Sequence, residues 1–73
     1  MIITTIRNNK LFIQFDRLVK NGLIQINGEN GFETQRQFKD SEFEVFELPY
    51  NIKTIHLNIA IDDEKSIIKS LNI

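Results

Sequence analysis

His56 is the single imidazole of this 73-residue chain, so acid–base or nucleophilic chemistry near neutral pH would have to run through it. It lies in the run Thr54 to Ile61, on the parity shared by Thr54, Asn58 and Ala60. That parity is mostly polar and predicts a solvent-facing strand histidine. A general base also needs a nucleophile or carboxylate within hydrogen-bond reach. No motif supplies one: Ser66 and Ser70 lie in alternating sequence without nucleophile-elbow context. With no cysteine and one histidine, the chain has no disulfide, thiolate site or cysteine nucleophile, and no zinc centre with two of its own histidines.

Carboxylates offer little more. Glu42, Glu44 and Glu47 alternate with apolar residues, which places Glu42 and Glu44 on a solvated strand face. Asp62-Asp63-Glu64 reads as a polar turn, since aspartate supports turns through its own backbone. It lacks the spaced acidic ligands and central glycine of a calcium loop. A glycosidase pair would need a cleft, and a domain this small offers no obvious one. Gly28 and Gly31 are not followed by the lysine-serine or lysine-threonine pair of a phosphate loop. The residues imply no catalytic group, metal or cofactor, and the chain is read as non-enzymatic.

Six phenylalanines and Tyr50 remain, enough for a stacking platform or a protein contact. Phe12 stands out because it points away from the Leu11, Ile13 and Phe15 face. Phe32 and Phe38 bracket a polar stretch that reads as an edge strand, where strand addition could occur. Phe12, Phe32 and Phe38 are the candidate partner-binding residues. Nine basic residues are dispersed against ten acidic ones, for a net charge of −1. A dominant electrostatic hold on nucleic acid is therefore not expected.

The elements that position these residues read as strands. Isoleucine supplies 13 residues and alanine only Ala60, a balance that suits pleated sheet. Ile55, Leu57, Ile59 and Ile61 alternate with mostly polar residues, the pattern of a strand with one buried face. Asn8-Asn9 suits a two-residue turn, and it sets Ile6 opposite Leu11, Thr4 opposite Ile13 and Ile2 opposite Phe15. Asn21-Gly22 predicts a second hairpin, pairing Val19 with Ile24, so that residues 11–20 form one bent strand shared by two hairpins. Asn27-Gly28 and Asn30-Gly31 mark the next connection, and Lys39-Asp40-Ser41 another turn. Phe43 and Val45 share one parity and Phe46 and Leu48 the other, which predicts a bulge between Val45 and Phe46. Pro49 ends that strand. The last segment reads as a strand containing Ile67, Leu71 and Ile73, interrupted by Lys69, with a helix capped by Asp62 as the alternative. A three-residue loop at Asp62 to Glu64 would pair Ile59 with Ile67 and Ile55 with Leu71, whereas a four-residue loop would set Ile55 opposite Asn72; an odd-length loop or a bulge is the favoured reading.

About seven short strands result, with turn signals every 8 to 12 residues or so, the spacing of a small sandwich or barrel. The expected fold is all-β, a single domain over residues 1–73: a small immunoglobulin-like antiparallel sandwich, with a small barrel as the alternative. Apolar residues make up 41% and charged residues 26%, a globular composition. The longest apolar runs, Met1 to Ile3 among them, are three residues, far short of the roughly 20 of a membrane helix. No basic-then-apolar leader is visible. These features predict a chain used inside a cell, carried within an assembly such as a virion, or cut from something longer.

The stretches "NKLFIQF" and "GLIQINGENG", then "FELPYNIKTIHLNIAIDDEKSIIKSLNI", resemble small immunoglobulin-like modules found at the ends of secreted Bacteroidetes proteins, some of them type nine secretion sorting domains. Small phage virion proteins use similar modules. The usual asparagine-proline entry is absent, as is a glycine-tyrosine pair after Pro49, so the resemblance implies the sandwich more than the sorting role. Fold alone does not assign activity. The function expected is a non-catalytic structural or protein-interaction module, part of a virion, cell-surface or secretion assembly, with a protein partner or a second copy as ligand. The alternatives are a carbohydrate- or nucleic-acid-binding module and a small inhibitor or regulator of an enzyme.

Overall fold

β-branched side chains on alternating positions favour extended backbone, and the chain is strand along most of its length. The structure is a computed structural model, described here for residues 2–62 and 64–73. Its strands are β1 (Ile2–Arg7), β2 (Lys10–Gly28), β3 (Glu33–Glu47), β4 (Thr54–Ile61) and β5 (Ile67–Asn72), with a 3-10 turn at Glu29–Gly31 between β2 and β3. All pairings are antiparallel, in the order β1-β2-β4-β5, and β3 runs along the opposite edge of β2. The sheet is curled into a half-barrel around a single apolar core.

The first hairpin has the register expected from Asn8-Asn9. Ile6 faces Leu11, Thr4 faces Ile13 and Ile2 faces Phe15. Asn8 and Asn9 both take positive φ, 52° and 61°, as a type I′ turn requires. In β4, Ile55, Leu57, Ile59 and Ile61 are all buried. The last segment is a strand, with Ile59 opposite Ile67 and Ile55 opposite Leu71. Asp63, in the expected loop, lies outside the described residues, as does Met1.

The count of about seven short strands does not hold. The described residues form five, because two turn signals do not reverse the chain. Asn21-Gly22 lies inside β2, a continuous strand of 19 residues. Gly22 keeps out of the left-handed region and faces Phe38 on one side and Ile61 on the other. Its missing side chain serves a different purpose: a Cβ there would clash with the edge of the Phe38 ring. Lys39-Asp40-Ser41 likewise lies inside β3, where Asp40 takes φ 50° without breaking the pairing of Asn21 with Lys39 and Val19 with Ser41. The Val45–Phe46 bulge is also absent: pairing runs unbroken from Lys10 opposite Glu47 to Gln14 opposite Phe43. The irregularity is in β2 instead, where residues 15–18 stand against Glu42 alone. Extra residues on one strand bend it and increase its twist.

That bend makes two walls from one sheet. The first holds β1, residues 10–15 of β2 and residues 43–47 of β3. The second holds the remaining parts of β2 and β3 with β4 and β5. Leu11, Ile13 and Phe46 from the first meet Ile24, Ile26, Leu57 and Ile59 from the second in one core. Phe15 and Phe38 stack at 5.4 Å between centroids. Burying each such side chain is worth about 1.5–3 kcal/mol, so this core is the main source of stability.

Polar contacts pin the walls. Asp62 accepts from Asn21 N at 3.1 Å, and Asn21 O accepts from Asp62 N at 2.7 Å. Arg17 donates to Asp62 at 2.9 Å and to Glu64 at 2.7 Å. The Asn21 amide and then Arg17 hold the Asp62 carboxyl below its ordinary pKa, and the two carboxylates raise that of Arg17. Glu29 accepts from the backbone amides of Lys53 and Thr54 at 2.6 and 2.9 Å, tying the β2–β3 turn to the start of β4. Lys69, on the core-facing parity of β5, donates to Ile2 O of β1 at 3.3 Å. It thereby links the two end strands of the path.

Candidate functional site

In a strand with one buried face, alternate residues point outward. On β2, Leu11, Ile13 and Phe15 are buried, so Phe12 and Gln14 face away from the core. The antiparallel register then sets their neighbours. Thr5 and Val45 flank Phe12, and Ile3 and Phe43 flank Gln14. Phe12 and Phe43 are diagonal neighbours, close enough for aromatic side chains to meet. They stack with centroids 6.0 Å apart and planes inclined by 25°. Ile3 is 52% exposed and Phe43 50%, while Phe12 and Val45 are half-buried. The result is an outward apolar face of four side chains across three strands, bordered at one end by Arg7, Lys10 and Glu47.

The outward face of the second wall has different chemistry. Gln25 lies between Gln35 and Asn58, and Asn58 faces Ile68. Gln25 Nε2 donates to Gln35 Oε1 at 3.4 Å. Apart from Leu23, Ala60 and Ile68, this surface is rich in uncharged amides. The aromatic pair thus belongs to the first wall alone.

The three candidate contact residues do not share a surface. Phe12 is on the outward face, stacked on Phe43. Phe32 follows the 3-10 turn and is half-buried against the core. Phe38 is 8% exposed and packs into the core against Phe15 and Gly22. β3 is nonetheless an edge strand among the described residues, since it pairs only with β2.

Phe43 is an outward aromatic that its sequence context does not place. In the sequence, apolar residues on both parities predict a bulge between Val45 and Phe46 and do not say which set faces out. The uninterrupted register puts Phe43 and Val45 outside and Phe46 and Leu48 inside.

His56 accepts or donates a hydrogen bond with Ser70 across β4 and β5, Nδ1 to Oγ at 2.8 Å, on an exposed face. A hydrolytic serine needs a histidine oriented by a third group. The His56–Ser70 contact joins register partners on adjacent strands and stands as a cross-strand pair. Glu44, half-buried, accepts from Ser41 Oγ at 2.6 Å and from Arg36 at 3.0 Å. Arg36 also donates to Val45 O at 3.0 Å and lies 4.1 Å over the Phe46 ring. This group braces the two arms of β3 against each other. Among the described residues no three histidine, aspartate or glutamate side chains gather to hold a metal ion. No helix among them is long and apolar enough to cross a membrane.

No protein-family model matches the chain, and no curated protein matches it.

Proposed function

We propose that the chain is a non-catalytic protein-interaction module that docks on a protein partner, as part of a larger assembly, through the outward face of its first wall. The observation that carries this is the Phe12–Phe43 stack on the side of the sheet turned away from the core. Large aromatic side chains supply much of the energy of protein interfaces when they are desolvated together. Here two are already ordered against each other, so little rotamer freedom remains to be lost on contact. Ile3 and Val45 widen the apolar centre, and Arg7, Lys10 and Glu47 supply the polar border of an interface.

The immunoglobulin-like reading belongs to the same proposal. Two walls closing on one core are compatible with a small sandwich module, although here both walls come from one curled sheet.

The test compares three tagged chains in pull-downs from the native source: the natural sequence, Phe43→Glu on the apolar face and Gln25→Glu on the amide face. A protein held in stoichiometric amount by the natural chain and by Gln25→Glu, and lost from Phe43→Glu, supports the proposal. Equal retention by Phe43→Glu removes it.

A further inference from the structure

Three asparagines precede glycine: Asn21, Asn27 and Asn30. Glycine leaves the following backbone nitrogen open to attack on the asparagine side chain, because no Cβ shields it. The fold treats the three pairs differently. Gly22 lies between Phe38 and Ile61 in the middle of the sheet, and both the amide and carbonyl of Asn21 are bonded to Asp62. Asn27 lies between Glu33 and His56, and Gly28 N donates to Phe32 O at 2.8 Å. Asn30 and Gly31 are in the 3-10 turn, outside the ladder, and both are exposed. Asn30 has φ 58° and Gly31 φ 78°, and nothing lies within 4 Å of the position a Gly31 Cβ would take. The turn's bond from Phe32 N to Glu29 O is long, at 3.2 Å.

We propose that Asn30-Gly31 is a site of spontaneous deamidation, and that the folded sheet protects the other two pairs. The Gly31 backbone nitrogen attacks Asn30 Cγ, forming an N–Cγ bond. The Cγ–Nδ2 bond breaks, and the side-chain nitrogen leaves as ammonia with the proton given up by the Gly31 amide. Water then adds to one carbonyl of the cyclic imide. Opening on one side gives aspartate, and on the other isoaspartate, whose backbone carries one extra methylene. Reaction at Asn21 or Asn27 requires opening the central strand, which is among the costliest local openings of a domain. Reaction at Asn30 requires only movement within an exposed turn.

The experiment incubates the full chain at mildly alkaline pH, folded and in concentrated urea, followed by peptide mass mapping that separates aspartate from isoaspartate. In the folded chain Asn30 should convert at least about tenfold faster than Asn21 or Asn27, and in urea the three rates should converge. Gly31→Ala should slow conversion at residue 30 under both conditions, which keeps the test informative if that variant folds poorly. Asn21 or Asn27 keeping pace with Asn30 in the folded chain would overturn the proposal. So would an Asn30 that stays intact when folded while the unfolded chain reacts, or an unchanged rate in Gly31→Ala.

Discussion

Phe12 and Phe43 stack at 6.0 Å on the outside of the sheet, while Phe15 and Phe38 stack at 5.4 Å on the inside. Phe12 and Phe15 come from the same strand, three positions apart, and opposite parity sends their rings to opposite faces. One pair holds the core and the other meets solvent, and substitutions should separate their roles.

Phe38→Ala should cost about 3–5 kcal/mol, the range for deleting a buried aromatic side chain. In a domain this small that is a large share of the total stability. Phe43→Ala should cost no more than about 1.5 kcal/mol, chiefly the stacking with Phe12. Urea unfolding of both variants checks the contrast. Equal losses would mean the outward pair is as structural as the inward one.

Gly22→Ala should be strongly destabilising although the backbone there suits any residue. The added methyl meets the Phe38 ring, and overpacking of this kind costs about 1–3 kcal/mol. Combining it with Phe38→Leu should recover part of that loss. A double-mutant cycle by chemical denaturation reads the coupling. Additive losses would show that Gly22 is needed for some reason other than space.

Asp62 makes stability depend on acid. Its folded pKa lies below the ordinary 3.8, first through the Asn21 amide and then through Arg17. A carboxyl lowered on folding contributes stability that is present above its ordinary pKa and lost as the pH falls through the folded value. Thermal melts should therefore show the natural chain weakening over that acid window. Asp62→Asn should be less stable at neutral pH and should lose less on acidification. An identical acid profile for the two chains would show that Asp62 is not the group responsible.

Glu29 joins the turn after β2 to the start of β4 by accepting two backbone hydrogen bonds. Glu29→Ala leaves those donors to water and should cost about 1 kcal/mol, with faster amide exchange at Lys53 and Thr54. Unchanged exchange there would show that the carboxylate is not holding them.

The sequence made some of this legible through local turns. Asn8-Asn9 carried the first register because both residues tolerate positive φ, and Ile55, Leu57, Ile59 and Ile61 made one uninterrupted apolar stripe that is buried in the fold. Gly22 misled because a glycine serves either a turn or a close approach, and only the Phe38 ring distinguishes the two. Asp40 misled in a similar way, since positive φ was accommodated inside a paired strand. The outward face was half legible: Phe12 was visible opposite a clear core stripe. Phe43 was not, because apolar residues on both parities carry no sign of which face is wet. Phe38 looked like an edge residue because its neighbours are polar, but those neighbours point outward and its ring points in.

The most direct measurement is the companion protein retained by the natural chain, by Phe43→Glu and by Gln25→Glu, once all three are shown to fold by circular dichroism. Docking through the Phe12–Phe43 face requires that Phe43→Glu alone loses the companion. A companion held equally by Phe43→Glu, or lost only from Gln25→Glu, would contradict it and move the contact to another surface.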